Sequence, residues 1–233
     1  MTLRQDPAGA VRREIPPYRG VLLRYPHRAP LPVRDPEAVE LYGPVFGDTD
    51  VRESDDDLTV RHAGEPLGER ITVGGRVTDR RGRAVAGQLV EIWQANASGR
   101  YAHQLDKHRA PLDPNFTGYG RCLTDADGRY GFTTIKPGAY PWEHHHNAWR
   151  PAHIHFSLFG TAFAQRLITQ MYFPGDPLLA LDPILHSVGG EAARERLVAA
   201  YDPERSVPHW SLGYRWDIVL DGPSATWSEG EGR

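Results

Sequence analysis

Proline and glycine interrupt this chain so often that only short helices and strands fit between them. The sequence contains 20 prolines and 24 glycines among 233 residues. Proline breaks helix interiors, and both residues mark turns. One segment, Glu191 to Tyr201, has helical spacing, since Ala192, Leu197, Val198 and Tyr201 can share one face. The chain is therefore predicted to be mainly β, with one short helix.

Short runs of β-branched and aromatic residues lie between these interruptions and predict strands. They occupy residues 71–78, 89–94, 121–124, 130–133, 152–159, 167–173 and 212–220. In the second run Val90 and Ile92 face one side and Glu91 and Trp93 the other. Residues 125–128, Asp-Ala-Asp-Gly, predict a hairpin turn between the third and fourth runs. Many short strands with one helix favour an antiparallel β-sandwich core.

The N-terminal region differs in character from the rest of the chain. Pro16-Pro17-Tyr18 and the proline-rich residues 28–32 suit neither helix interiors nor central strands. The Asp-rich residues 48–58 favour a solvated loop. We predict an extended N-terminal arm with loops over residues 1–60 and a β-sandwich domain over residues 61–233. The arm fits either a disordered tail or a segment that wraps around a partner chain.

Composition excludes several classes of protein. The formal net charge is −3 with no basic patch, which argues against a nucleic-acid partner. No apolar run approaches the roughly 20 residues that span a membrane, and residues 1–13 lack the apolar segment of a secretory signal. The single cysteine, Cys122, excludes an internal disulfide framework and a cysteine-based zinc cluster. A cytoplasmic location is expected.

Two histidines form the first candidate site. His153 and His155 lie two residues apart in the apolar run 149–156, so in a strand their side chains point to the same side. Two converging imidazoles make half of a metal site. A His-x-His pair on a strand is also compatible with a structural role, and by itself it does not decide between the two.

Two tyrosines supply the second half of the candidate site. Tyr101 follows Gly99-Arg100, and Tyr140 lies between Pro137-Gly138-Ala139 and Pro141. Phenolate oxygens are hard anionic donors, so a set of two tyrosines and two histidines suits a hard trivalent ion such as Fe(III). Loop tyrosines are more commonly half-buried aromatics whose hydroxyl is satisfied. The residues alone therefore leave both interpretations open.

A series of motifs in fixed order resembles the intradiol ring-cleaving dioxygenases. The motifs are Gln88–Asn96, Gly99–Tyr101, Ala110–Phe116, Gly120–Asp125, Thr134–Gly138 and Trp149–Phe156. The resemblance runs almost without a break from residue 64 to residue 222, and more weakly through the arm. It implies a β-sandwich fold and makes residues 61–233 the catalytic domain. A set of this length is far more specific than His-x-His alone.

The resemblance implies a non-haem Fe(III) cofactor with Tyr101, Tyr140, His153 and His155 as its ligands, together with a solvent hydroxide. It implies that O2 cleaves 3,4-dihydroxybenzoate between its two hydroxylated carbons and gives 3-carboxy-cis,cis-muconate. Two phenolates and one hydroxide balance the three positive charges of the metal. The resemblance further implies that the hydroxide takes one proton from the diol and that the tyrosinate matched by Tyr140 takes the other.

Further residues are implied around the same pocket. Arg150 matches a catalytic arginine that stabilises negative charge developing on the ring, and Gln170 matches a glutamine that lines the pocket. Trp142 is expected to contact the substrate. Trp93 either walls the pocket or belongs to the core, and a core position is favoured. Residues 144–146, three consecutive histidines, are expected in a solvated loop near the pocket mouth.

The resemblance also implies partners. They are a homologous α chain that forms an αβ protomer within a higher oligomer, a small aromatic diol and O2. One alternative is an intradiol enzyme for catechol or hydroxyquinol, but residues 1–60 lack the helical periodicity of its dimerisation domain. A second is a noncatalytic β-sandwich subunit, which the four ligand types disfavour. A zinc hydrolase is the third, and its carboxylate or thiolate ligands are missing from the motif.

Overall fold

The structure is a computed structural model that describes residues 51–142, 148–159 and 166–229. It also describes two short strands near the N-terminus, β1 (Arg4–Gln5) and β2 (Val11–Arg12), which pair antiparallel. Most of the predicted arm lies outside the described residues. The division of the chain at residue 60 therefore stays a prediction.

Short strands dominate the described part of the chain, as the proline and glycine pattern predicts. They are β3 (Arg70–Thr78), β4 (Leu89–Trp93), β5 (Tyr119–Leu123), β6 (Arg129–Ile135), β7 (Tyr140–Pro141), β8 (Trp149–Arg150), β9 (His153–Phe159), β10 (Arg166–Tyr172), β11 (Ala200–Tyr201), β12 (Leu212–Arg215) and β13 (Ile218–Val219). The helical elements are 3-10 turns at Glu53–Asp56 and Pro177–Leu181 and the α-helices α1 (Pro183–Ser187) and α2 (Glu191–Glu195). Among the residues described, no helix has the length and apolar character needed to span a bilayer.

The first sheet carries the two histidines. Its strand order is β10-β9-β4-β5, and every neighbouring pair is antiparallel. The central strand β9 pairs on both sides, so that His155 lies opposite Trp93 of β4 and Gln170 of β10. Two ladders of backbone hydrogen bonds therefore fix the position of the His-x-His segment.

The second sheet is mixed. β3 pairs antiparallel with β6 and parallel with β12 and β13, and β11 pairs with β12 at the edge. The predicted antiparallel sandwich is thus confirmed for the first sheet, whereas two late strands run parallel to β3. The predicted strand over residues 212–220 is divided in two: β12 ends at Arg215 and β13 begins at Ile218, and between them the Arg76 N–H of β3 donates to the Asp217 side chain.

Alternating residues of both sheets fill the space between them. On β9 the side chains of Ile154, Phe156 and Leu158 are at most 1% exposed, and Phe156 packs against the rings of Phe132 and Trp216. Burial of each such side chain stabilises the folded state by roughly 1.5–3 kcal/mol. This inward set leaves His153 and His155 on the opposite face of the sheet. Cys122 on β5 is part of the same core, at 6% exposed.

The predicted hairpin at residues 125–128 is wrong, although the turn itself is present. Gly128 donates its N–H to the Asp125 carbonyl and has φ 73°, as the turn requires. The strands on either side belong to different sheets, because β5 pairs with β4 and β6 pairs with β3. The turn therefore passes from one layer of the sandwich to the other.

The predicted helix over residues 191–201 is also shorter than expected. α2 ends at Glu195, and Ala192 and Tyr201 are exposed. The chain after α2 bonds to β10 instead, since the Tyr172 N–H donates to the Leu197 carbonyl and the Tyr172 carbonyl accepts from Ala199. Pairing with a neighbouring strand overrides the local helical pattern. The helix α1 was not predicted, because five residues are too few to show a period.

Half of the eight described residues in the Asp-rich segment are exposed, and the segment is not the simple solvated loop that was expected. It forms the 3-10 turn at Glu53–Asp56, and Asp55 pairs with Arg61 and Arg121. Leu58, two residues after the turn, is 1% exposed and joins the hydrophobic core. These contacts attach the segment to the sandwich.

Candidate metal centre

The two histidines lie side by side on the face of β9 that points away from the core. Their ring centroids are 4.9 Å apart, as the alternation of a strand predicts. His153 is 2% exposed, and His155 is largely covered by the ring of Trp93, which stacks on it at 4.9 Å with an interplanar angle of 4°. The preference for a core position of Trp93 was therefore wrong, because the half-buried indole packs on the site.

The hydrogen bonds of His153 determine which of its nitrogens faces the site. Nδ1 lies 2.7 Å from the Pro151 carbonyl oxygen. A carbonyl only accepts, so Nδ1 carries the proton and the lone pair is on Nε2. Burial and the neighbouring Arg150 guanidinium lower the pKa of His153 well below its usual range. The imidazole is therefore neutral and presents a lone pair, which is the form that binds a metal.

The two tyrosines come from loops that touch each other. Gly99 precedes Tyr101 with φ 77°, and a Cβ atom there would lie against the Ala139 carbonyl oxygen, beside Tyr140. Gly138 is packed equally closely against the Ala97 carbonyl. Only glycine at these two positions lets the loops approach this closely. The contact brings the Tyr101 and Tyr140 rings edge to face, with centroids 5.5 Å apart.

A buried asparagine holds the loop that carries Tyr101. The Asn96 side chain is 5% exposed, accepts from the N–H groups of Ser98 and Arg100, and donates to the Pro111 carbonyl. The Tyr101 N–H donates to Asp106 at 2.8 Å. Side-chain acceptors of this kind satisfy loop backbone that no strand pairs with.

The four side chains converge at their polar ends. Tyr101 Oη lies 3.1 Å from His155 Nε2, and Tyr140 Oη lies 3.3 Å from His153 Nε2. Burial and the adjacent Tyr140 hydroxyl raise the pKa of Tyr101 well above its usual range. The structure therefore brings together all four residues predicted as ligands from the sequence.

Arg150 borders this cluster and is itself almost completely buried, at 3% exposed. Its Nη1 lies 3.4 Å from Tyr140 Oη and 3.0 Å from His153 Nε2, and its Nη2 lies 2.6 Å from Gln170 Oε1. Burial opposes its charge, yet the Tyr172 and Tyr140 hydroxyls and a buried carboxylate raise the pKa of Arg150 overall. The guanidinium is therefore a permanent positive charge beside the phenols.

The structure adds three polar residues that the sequence had not indicated. Asp182 is 0% exposed and bonds to Arg150, and the Tyr172 hydroxyl accepts from Arg150 at 3.0 Å. Glu229 accepts from the Gln170 amide, and its carboxylate lies 3.9 Å from His155 Nδ1. Only Asp182 has a signal in the sequence, because the Asp-Pro step at residues 182–183 marks the start of a helix. The other two carry no sequence signal.

The remaining predicted residues lie at the edge of the described site. Trp142 is half-buried directly after β7, and its backbone N–H donates to the Ala148 carbonyl at 2.8 Å. Residues 143–147 lie outside the described residues, so the prediction of a solvated loop for the three histidines stays a prediction.

The donor set fits a hard, highly charged cation. Within residues 51–142, 148–159 and 166–229, no group of three or more His, Cys, Asp and Glu side chains could hold a metal, and here two imidazoles are joined by two phenols. A buried phenol ionises only when a nearby cation compensates the charge, and a bound metal ion does this. Such a donor set in a β-sandwich, beside a buried arginine, suits a non-haem metal ion.

Comparison with known proteins gives the family. The family model described as Dioxygenase matches residues 41–222, and the chain belongs to this family. It is 56% identical over 213 residues to the protocatechuate 3,4-dioxygenase beta chain of Burkholderia cepacia, a match that covers 91% of this chain and 90% of that protein. The resemblance to intradiol dioxygenases found in the sequence is thereby confirmed.

Two further similarities are more distant. The protocatechuate 3,4-dioxygenase alpha chain of Pseudomonas putida is 31% identical over 163 residues, covering 68% of this chain and 75% of that one. The crystal structure of hydroxyquinol 1,2-dioxygenase from Pseudomonas putida DLL-E4 superposes with a TM-score of 0.56 at 25% identity, covering 77% of this chain and 64% of that chain. The mainly β fold is thus shared with that hydroxyquinol 1,2-dioxygenase.

Proposed function

We propose that this chain is the catalytic β chain of an intradiol dioxygenase that cleaves protocatechuate (3,4-dihydroxybenzoate) with O2 to 3-carboxy-cis,cis-muconate. The 56% identity to a protocatechuate 3,4-dioxygenase beta chain over 91% of the sequence supports the substrate. The observation that carries the proposal is the convergence of two phenol oxygens and two imidazole nitrogens at one place. A noncatalytic subunit would have no use for such a cluster.

The family uses non-haem iron, and we propose that Fe(III) is held here by Tyr101, Tyr140, His153 and His155. The neutral imidazole of His153 offers its Nε2 lone pair, and the Tyr101 and Tyr140 oxygens supply the negative charge. When bound, the ion supplies Lewis-acid chemistry that makes a chelated aromatic diol susceptible to O2.

The surrounding residues act on protons and charge. Tyr140 Oη lies 3.4 Å from Arg150 Nη1, and as a phenolate it is the base for one of the two protons of the diol. Arg150 keeps its own proton and stabilises negative charge that develops on the ring. Gln170, fixed by Arg150 and Glu229, and the half-buried Trp142 line the space for the substrate.

The assembly is proposed to include a homologous α chain. Relatives of this chain include both a beta chain and an alpha chain of protocatechuate 3,4-dioxygenase. We propose an αβ protomer within a higher oligomer, in which residues 1–60 contact the partner. We also propose a cytoplasmic location. Gel filtration and co-purification of the two chains test the assembly; a fully active lone chain would reject it.

Oxygen uptake with a panel of diols tests the activity. The purified protein, expressed with its α chain, is mixed with protocatechuate, catechol and hydroxyquinol, and each product is identified by mass spectrometry. We expect the highest kcat/KM with protocatechuate and a product that contains both atoms of O2. Preference for catechol or hydroxyquinol would move the assignment to another intradiol enzyme, and no uptake with an iron-replete protein would reject it.

A further inference from the structure

The carboxylate of Asp182 makes a two-point contact with Arg150. Asp182 Oδ1 lies 3.3 Å from Arg150 Nε, and Oδ2 lies 2.9 Å from Nη2. Both side chains are buried, at 0% and 3% exposed. A paired contact of this kind fixes the plane of the guanidinium as well as its position.

Asp182 is held in turn by the helix that it begins. Its side chain accepts the Ile184 N–H at 3.1 Å, and its carbonyl accepts the His186 N–H at 3.0 Å. Pro183 occupies the first turn of α1, where a missing N–H costs nothing. The carboxylate is therefore anchored to a structured segment 32 residues away from Arg150 in sequence.

The contacts of Arg150 are divided between its two edges. Asp182, Gln170 and the Tyr172 hydroxyl take the Nε and Nη2 side of the guanidinium. Nη1 is left to face Tyr140 Oη and His153 Nε2. A buried arginine without a counter-charge would turn towards any available acceptor or towards solvent. Asp182 removes that freedom on one edge, so the other edge stays directed at the site.

We propose that Asp182 is a positioning residue, which sets the orientation of Arg150 towards Tyr140 and thereby supports the reaction without contacting the substrate. This inference rests on the proposed function, because it needs a role for Arg150 in ring cleavage. The helix α1 contributes to this orientation, because it holds the Asp182 carboxylate in place and the carboxylate in turn orients the Arg150 guanidinium.

Asp182→Asn in the iron-loaded αβ protein tests the proposal. The amide keeps the shape but removes the charge and one acceptor. We expect kcat per bound iron to fall by roughly 10–100-fold, the range for groups that support a site residue. KM and the anaerobic dissociation constant of the diol should change less than about threefold, because the loss is confined to the transition state. An unchanged kcat per iron would overturn the proposal.

Asp202→Asn is the matched control. Asp202 also pairs with an arginine, Arg205, and this pair lies outside the site and outside residues 1–60. Both variants should lower the unfolding temperature of the metal-free protein, and only Asp182→Asn should lower kcat per iron. Equal kcat losses in the two variants would show a general structural effect and reject the positioning role.

Asp182→Glu provides the conservative variant and covers the case in which the Asn variant does not fold. It keeps the charge that a buried guanidinium needs but moves the carboxylate by one methylene. Where Asp182→Asn is obtained, we expect kcat per iron of Asp182→Glu to lie between the values of the parent and of Asp182→Asn. Where Asp182→Asn does not fold, we expect kcat per iron of Asp182→Glu to be at least threefold below that of the parent. A value equal to the parent would contradict the proposal. Absence of ring cleavage in the parent would instead reject the proposed function.

Discussion

The two halves of the candidate metal centre are held by different kinds of structure. His153 and His155 lie on β9, which is paired along both edges with β4 and β10. Tyr101 and Tyr140 come from loops and a two-residue strand, and they depend on a few specific contacts, above all the close packing of Gly99 against Ala139.

This difference has consequences for stability. A ladder of backbone hydrogen bonds tolerates the loss of a side chain, because the bonds do not involve it. A loop whose position depends on the close packing of one glycine has no such ladder, so replacement of that glycine displaces the loop. We therefore expect substitutions in the strand half to remove chemistry but leave the local structure intact, and substitutions in the loop half to displace the donors themselves.

Removal of a strand donor should give the largest effect. We expect His155→Ala to lower iron content and to reduce activity by more than the roughly 10–100-fold typical of supporting groups, while the sheet stays folded because β9 keeps both partners. Metal analysis, oxygen uptake and circular dichroism measure the three quantities. His186→Ala, at an exposed position on α1, is the control. Full iron content in His155→Ala would contradict the ligand assignment.

Removal of a loop donor's oxygen without a change of shape should give a smaller effect. Tyr140→Phe keeps three of the four donors, so we expect it to retain iron but to bind the diol about 100-fold more slowly, since it lacks one base. Anaerobic stopped-flow absorbance measures the rate, with the exposed Tyr201→Phe as control. A binding rate equal to that of the parent would show that Tyr140 does not take the proton.

A glycine substitution tests whether the loop contact itself matters. Gly99→Ala adds a Cβ against the Ala139 carbonyl and strains a φ of 77°. Gly87→Ala has a similar φ of 64° with open space around it, so both variants carry about 1–3 kcal/mol of backbone strain. We expect a loss of iron and activity in Gly99→Ala alone. Equal iron contents would show that the close approach of the loops is dispensable.

The smallest effect is expected at Cys122, on β5 of the histidine-bearing sheet. Burial raises the pKa of its thiol to about 12, and the thiolate is the reactive form, so roughly one thiol in 10⁴ is ionised at pH 8. A thiol reagent should therefore label the native parent and Gly99→Ala equally slowly. Rapid labelling of Gly99→Ala would show that damage in the loops spreads into the sheet.

The same contrast explains what the sequence could predict. The alternation of apolar and polar residues placed Val90, Ile92, His153 and His155 on their observed faces, because a strand has a period of two. The turn at residues 125–128 was recognised from local chemistry, but the assignment of its flanking strands to one hairpin failed. Which sheet a strand joins depends on partners distant in sequence, and local patterns do not contain that information.

The polar surroundings of Arg150 show the same limit. Tyr172 and Asp182 contact it across 22 and 32 residues, and nothing near Arg150 in sequence indicates either of them. The convergence of the tyrosines with the histidines was likewise not derivable from spacing, and it entered through the resemblance to a family. Short-range physics predicts the strand half of the site, whereas the loop half and its supporting carboxylate require the folded chain.

Metal analysis combined with the visible absorption spectrum of the purified protein tests the central claim most directly. Two tyrosinates bound to Fe(III) absorb visible light through ligand-to-metal charge transfer, so we expect about one iron per β chain and a red-brown colour. The colour should weaken when either Tyr101 or Tyr140 is replaced by phenylalanine. An iron-replete protein without a visible band would contradict the account.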